Sequence, residues 1–265
     1  DITPREAREM NIEVVPLKIN FPDHPYDQDK DETYDTFYKL LQSEDTFPTT
    51  SQPPPEAFAR VFEEAKEAGD TVVAVLISGG LSGTIQSAQI AKDAVGHEDV
   101  HIIDSRTAIM SQRILVEYAV KLRNAGEGVR ELCRKVEGIC QRVRVFGMLD
   151  TLTYLYKGGR LSRTVAFAGN LLHIKPLITT KDGLVTTSGR GRNFKAIIKQ
   201  FDEMGFDPAF PVYFGYTADD SNCRKMMNQM LEKYDIPQTG IFPIGGVIGA
   251  HVGPNGLAVS FVPRG

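Results

Sequence analysis

The apolar run "VVAVLI", Val72 to Ile77, leads directly into "SGGLSGTIQSA", Ser78 to Ala88. Six residues rich in β-branching are too few for a helix and predict a strand buried on both faces, as in a parallel sheet. A strand, a glycine-rich turn and a helix in succession restrict the chain to α/β architectures. In such sheets ligands bind beyond the carboxyl ends of the strands, where helix N-termini present unpaired N–H groups. The loop carries no lysine, and neither GxxxxGK[ST] nor GxGxxG is present, so a nucleotide phosphate site is not indicated. Ser82 and Thr84 add hydroxyl donors suited to an anion of low charge. The competing reading is that Gly79, Gly80 and Gly83 shape a tight turn while Ser82 or Thr84 caps the helix.

The remaining pattern extends this β-α alternation. "NIEVVPLKI" (11–19) and "VHIIDS" (100–105) read as strands, and "TYDTFYKLLQS", "PEAFARVFEEAKEAG", "AIMSQRILVEYAVKLRNAG" and "GVRELCRKVEGICQRV" have helical spacing. From "RVRVFGML" onward the texture changes. "TLTYLYKGGRLSRTVAFAGNLL" (151–172) is a glycine-punctuated helical segment, and "KPLITTKDGLVTTSGR" predicts a hairpin turning at Asp182-Gly183. A helix, a strand, a helix and a glycine-rich pair follow. The expectation is two α/β domains: residues 1–149 as an N-terminal parallel-sheet domain and residues 150–265 as a smaller C-terminal mixed-sheet domain.

A formal net charge of −4 over 265 residues, with no dense basic stretch, argues against a nucleic-acid partner. No apolar run approaches the ~20 residues of a membrane span, which predicts a soluble protein. Cys133, Cys140 and Cys223 lack CxxC spacing, which fits a reducing, cytoplasmic setting better than a disulfide framework. No secretion signal is visible after Asp1.

Other candidates lie outside the glycine loop. Thr49, Thr50 and Ser51 in "TTSQPPP" form a second hydroxyl cluster before a helix, a position where hydroxyls usually serve as caps. "GAHVGPNG" sets His251 in a presumed turn, where imidazole can donate to an anion. "KGGRLS" offers Arg160, whose guanidinium recognises carboxylate or phosphate. His24, His97, His101 and His173 show no metal-ligand spacing, so no metal is expected. Ser82, Asp104 and His251 stand in the chain order of a hydrolase triad, which admits a serine hydrolase acting on acyl esters or acyl phosphates. Against it, "GLSGT" places Gly83 beside Ser82 rather than two residues on.

Taken in order, "TTSQPPP", "SGGLSGTIQSA", "KGGRLS", "IKPLI" and "GAHVGPNG" resemble the DegV family over the whole chain. The resemblance implies two α/β domains with a long-chain fatty acid between them, no cofactor, and in some members service as the acyl-binding subunit of an ATP-dependent bacterial fatty acid kinase. Carried over by motif, the acyl carboxylate falls to Thr50, Ser51, Ser82, Gly83, Thr84 and His251. Arg160 would serve phosphoryl transfer or docking to the kinase. A lipid sensor or store that meets no kinase is the blander alternative. The chain departs from the family pattern at Pro54, Gly79, Ile85 and Asn255, and the resemblance implies a further strand ending in Asp-Ser ahead of Asp1.

Overall fold

A computed structural model describes residues 2–22, 26–28, 34–43, 47–161 and 174–265. The chain begins with α1 (Pro4–Met10), closed at its start by a capping box between Thr3 and Glu6. Of the predicted first strand only β1 (Lys18–Asn20) forms. Pro16 has no N–H to give a ladder, and the residues before it stay outside any sheet. After α2 (Asp35–Ser43), β2 (Thr49–Ser51) pairs antiparallel with β1, placing Ile19 opposite Thr50. The Thr/Ser cluster is therefore strand. The cap of the following helix, α3 (Pro55–Ala68), is Pro54, which makes no side-chain cap bond.

The run that opened the sequence forms β3 (Val72–Leu76), and after the glycine loop comes α4 (Thr84–Val95). β4 (Val100–Asp104) lies parallel to β3, with Val72 opposite Val100 and Leu76 opposite Asp104. Phe58 and Phe62 of α3 meet Ala88 and Ala91 of α4 over this pair. Next come α5 (Ile109–Asn124), α6 (Val129–Arg142), β5 (Arg144–Met148) and the short α7 (Thr153–Lys157). The predicted helical stretch 163–172 falls on residues outside those described. β6 (Lys175–Lys181) and β7 (Leu184–Gly191) form the expected hairpin, with Asp182 and Gly183 both at positive φ, as a two-residue primed turn requires.

The chain ends with α8 (Lys195–Met204), β8 (Val212–Tyr216), α9 (Ser221–Lys233), β9 (Thr239–Pro243), α10 (Gly246–Val252) and β10 (Leu257–Phe261). Six strands join in the order β7-β6-β5-β10-β8-β9, all neighbours antiparallel except β8 and β9. The mixed sheet is thus the larger one among the described residues. β5 is central in it, so the chain enters this sheet just before the division expected at residue 150. Successive residues of β8 serve opposite faces: Phe214 joins Phe201, Met226 and Phe261 beneath α8 and α9, while Tyr213 joins Met110, Ile114 and Val136 beneath α5 and α6.

One charged cluster ties the chain start to this second face. Arg113, 8% exposed, donates to Glu6 at 2.6 Å and Glu117 at 2.7 Å and lies 4.0 Å over the Phe242 ring. Burial alone would raise the Glu6 carboxyl, but the Arg113 guanidinium and Thr3 hold it down to about 2. Removing one partner of such a group strands the others in low dielectric. We expect Arg113→Met to cost about 3–5 kcal/mol in urea unfolding. Adding Glu6→Gln and Glu117→Gln should recover much of that loss, and full independence of the three changes would show that the cluster is not coupled.

Candidate functional site

A cavity of about 270 Å³ lies where the glycine loop, β2, α10 and the inner face of the six-stranded sheet converge. Its walls are mainly apolar: Leu149 just after β5, Ile178 of β6, Ile248 of α10 and Leu257 of β10 all line it. The polar groups are few and include Thr50, Ser51, Ser82, Arg160 and His251. An apolar chamber with a few convergent polar groups is the usual form of a small-molecule site.

His251 is not in a turn. It stands in the last turn of α10, with its Nε2 2.8 Å from the Thr50 hydroxyl. The ring lies against Gly158, where a Cβ would come within 2.1 Å of Nδ1, so only glycine allows this approach. Nδ1 is buried and has no hydrogen-bond partner among the described residues. An orphaned buried N–H is the costlier alternative, so the assigned tautomer carries the proton on Nε2 and donates to Thr50. The Thr50 hydroxyl proton is then available to a further acceptor.

Arg160 bridges two backbone segments, donating from Nε to Leu81 O at 3.1 Å and from Nη1 to Gly158 O at 2.6 Å. It thereby fixes the glycine loop against the turn that carries His251's neighbour. Burial, and then the positive charge of Arg160, push the His251 imidazole down to about 4. The imidazole is accordingly neutral at pH 7, and the local positive charge belongs to Arg160.

The expected site residues divide. Thr50, Ser51, Ser82, Arg160 and His251 line the cavity, whereas Gly83 and Thr84 do not. Gly83 is the N-cap of α4 without a side-chain cap bond, and the buried Thr84 pairs its hydroxyl with Ser82 at 2.8 Å. The helix-cap reading of Ser82 and Thr84 therefore does not hold. The hydrolase triad is not assembled either. Asp104 accepts from Arg106 N at 2.7 Å and faces Gly79 N, Ser82 is paired with Thr84, and Nδ1 of His251 meets no carboxylate. Sequence reasoning missed Gln52, Thr179 and Thr180, which also line the cavity. Hydroxyls alternating along a β-rich segment carry no signal of which face turns inward. Asn255, a departure from the family pattern, sits at φ 59°, a conformation that asparagine tolerates almost as glycine does, and donates to Asp150 at 3.0 Å.

Comparison with known proteins agrees over the whole chain. The family model described as "Uncharacterised protein, DegV family" matches residues 1–264. A DegV domain-containing protein of Caldanaerobacter subterraneus subsp. tengcongensis is 33% identical, covering 98% of this chain and 95% of its own. Among solved structures, a DegV family protein from Thermus thermophilus described for fatty acid binding superposes with a TM-score of 0.89 at 30% identity, over 99% of this chain and 96% of that one. A stearic acid-binding protein from Eubacterium ventriosum gives 0.87 at 26% identity, over 99% and 95%. Among the described residues no helix is long and apolar enough to cross a membrane, and no group of three or more metal-ligating side chains occurs.

The depressed imidazole has a consequence for stability. The folded state holds His251 at about 4 against 6.5 for the unfolded chain, so the unfolded chain binds more protons between those values. Its contribution is intact above pH 6.5 and is lost as pH falls toward 4, up to about 3 kcal/mol. Urea unfolding at pH 7.5 and 4.5 should show a steeper acid loss for the parent than for His251→Gln. Equal losses would mean that the imidazole titrates normally.

Proposed function

The chain belongs to the DegV family, and from that premise we propose that it binds a long-chain fatty acid, with the carboxylate at the Thr50–His251 end of the cavity and the acyl chain along its apolar length. The observation that carries this reading is the Thr50–His251 hydrogen bond beside Arg160, in a chamber whose walls are mainly apolar. A monoanion needs no lysine here. The neutral imidazole orients the Thr50 hydroxyl as a donor and Ser82 supplies a second hydroxyl, while Arg160 is engaged by the carbonyls of Leu81 and Gly158. Burial of the tail contributes about 0.8 kcal/mol per CH₂, so a long chain binds tightly without a strong head-group clamp. The fatty acid binding described for the Thermus and Eubacterium proteins supports the same ligand class.

We further propose that the bound carboxylate is presented to a separate ATP-dependent kinase, which phosphorylates it to an acyl phosphate. In this scheme the chain has no turnover of its own. It supplies selection and positioning, and Arg160 offsets the charge that arrives with the phosphoryl group.

Organic extraction of the purified protein followed by mass spectrometry should release a saturated or monounsaturated long-chain fatty acid. A nucleotide or sugar phosphate in its place would overturn the assignment. Ser82→Ala or Thr50→Ala should weaken fatty acid binding by about 1.5–3 kcal/mol, the worth of a hydrogen bond to a charged acceptor, with little change in melting temperature. Normal binding with a much lower melting temperature would make these hydroxyls structural.

The kinase role has its own test. Arg160→Gln keeps a polar side chain against the carbonyls of Leu81 and Gly158. It should retain fatty acid within about tenfold of the parent affinity and lose acyl phosphate formation with a bacterial fatty acid kinase and ATP. Transfer at the parent rate would remove Arg160 from the reaction.

A further inference from the structure

Gly83 does not line the cavity, and its backbone does not call for a glycine: φ is −72°, a value open to every residue. What calls for it is another side chain. A Cβ on Gly83 would stand 2.0 Å from Oε1 of Gln52, 2.7 Å from its Cδ and 2.9 Å from its Nε2. The missing methyl is therefore the seat of the Gln52 amide. From that seat Nε2 of Gln52 donates to the Ser87 hydroxyl at 2.9 Å. Ser87 is buried in the first turn of α4, and its N–H donates to Gly83 O at 3.1 Å.

Gln52 directly follows β2 and stands two residues after Thr50, while Ser82 directly precedes Gly83. Among the described residues, the Gln52–Ser87 bond is the one hydrogen bond that joins residues 49–55 to residues 78–88. The chain beyond Gln52 is stiff. Pro53, Pro54 and Pro55 fix successive φ values, and a residue before proline is held extended, as Pro54 is at φ −69° and ψ 155°. Anchoring Gln52 on such a strut also fixes the strand that leads into it.

We propose that Gln52 and Gly83 form a positioning pair, in which the seated amide keeps the Thr50 hydroxyl of β2 and the Ser82 hydroxyl of the glycine loop in register for one carboxylate. This rests on the fatty acid reading of the cavity. Two donors reward a single carboxylate only when both are aligned, because hydrogen bonds weaken steeply with angle and distance. A neutral amide holds that spacing without bringing charge into the wall. Gln52 itself is exposed, so the core does not depend on it.

The test compares affinities for hexadecanoic acid and hexadecan-1-ol, with the melting temperature of each ligand-free protein. Gly83→Ala drives the amide off its seat, and Gln52→Met keeps the side-chain length but removes the donor. Each should weaken acid binding about five- to tenfold, the worth of one hydrogen bond, and leave alcohol binding and melting close to the parent. Because both changes break one contact, the double variant should bind the acid no more weakly than either single variant. Additive losses would overturn the pairing. Parent-like acid affinity in both single variants, equal losses for acid and alcohol, or lowered melting in both would overturn the positioning role while leaving fatty acid binding intact. A parent protein that binds neither ligand, or the alcohol as tightly as the acid, would overturn the carboxylate reading as well.

Discussion

The fully buried hydroxyl of Ser78 donates to the carbonyl of Gly183 at 2.6 Å. This bond joins the end of β3 to the tip of the β6–β7 hairpin, and the cavity depends on it. A Cβ on Gly80 would strike the Gly183 carbonyl at 2.6 Å, so the hairpin tip and the glycine loop touch backbone to backbone. Arg106 reaches Asp182 at 3.3 Å beside them, an exposed pair that adds little energy. The same loop that makes this contact delivers Ser82 to the chamber wall.

The chemistry of that wall follows from how little charge it contains. A lysine or a charged histidine buried there would demand a permanent counter-ion, because isolated charge is costly in low dielectric. Instead the imidazole is neutral, the hydroxyls carry no charge, and Arg160 leans on two backbone carbonyls that share its hydrogen-bond demand. Such a wall stays stable without ligand and still favours a single negative charge. A polyphosphate, with several charges to neutralise, would find one guanidinium insufficient.

Much of this architecture could be read from residues whose local preference agrees with the final fold. The β-branched run at β3, the Asp182-Gly183 turn and the glycine after α3, at φ 73° in its C-cap, belong to this group. The failures have a common cause in long-range contact. α10 is a seven-residue helix containing Gly246 and Gly249, which by propensity alone should not form. It does so because those glycines admit the rings of Phe37 and Tyr38, where added Cβ atoms would fall within 2.6–2.9 Å. Packing from α2 thus overrides local preference and lifts His251 out of a presumed turn into the wall. The Thr49–Ser51 cluster misled for the related reason that β1, its partner, lies far back in the chain. The positive φ of Ile109, 51°, carried no signal either, since nothing in "TAIMS" announces it.

The polar end of the cavity is assembled from β2, the glycine loop, the turn after α7 and the end of α10, and no two of these segments are neighbours in sequence. Each is locally ambiguous, and only their convergence specifies an anion. The same dispersion couples binding to folding. On the proposed reading, a carboxylate accepting from Thr50 and Ser82 beside Arg160 would tie these elements together. A ligand bound only by the folded state stabilises it by RT ln(1 + [L]/Kd), about 2.7 kcal/mol at a hundredfold excess over Kd. That increment would fall on the junction where these elements converge, adding to the contacts that Ser78 makes with Gly183 and Arg160 makes with Leu81 and Gly158.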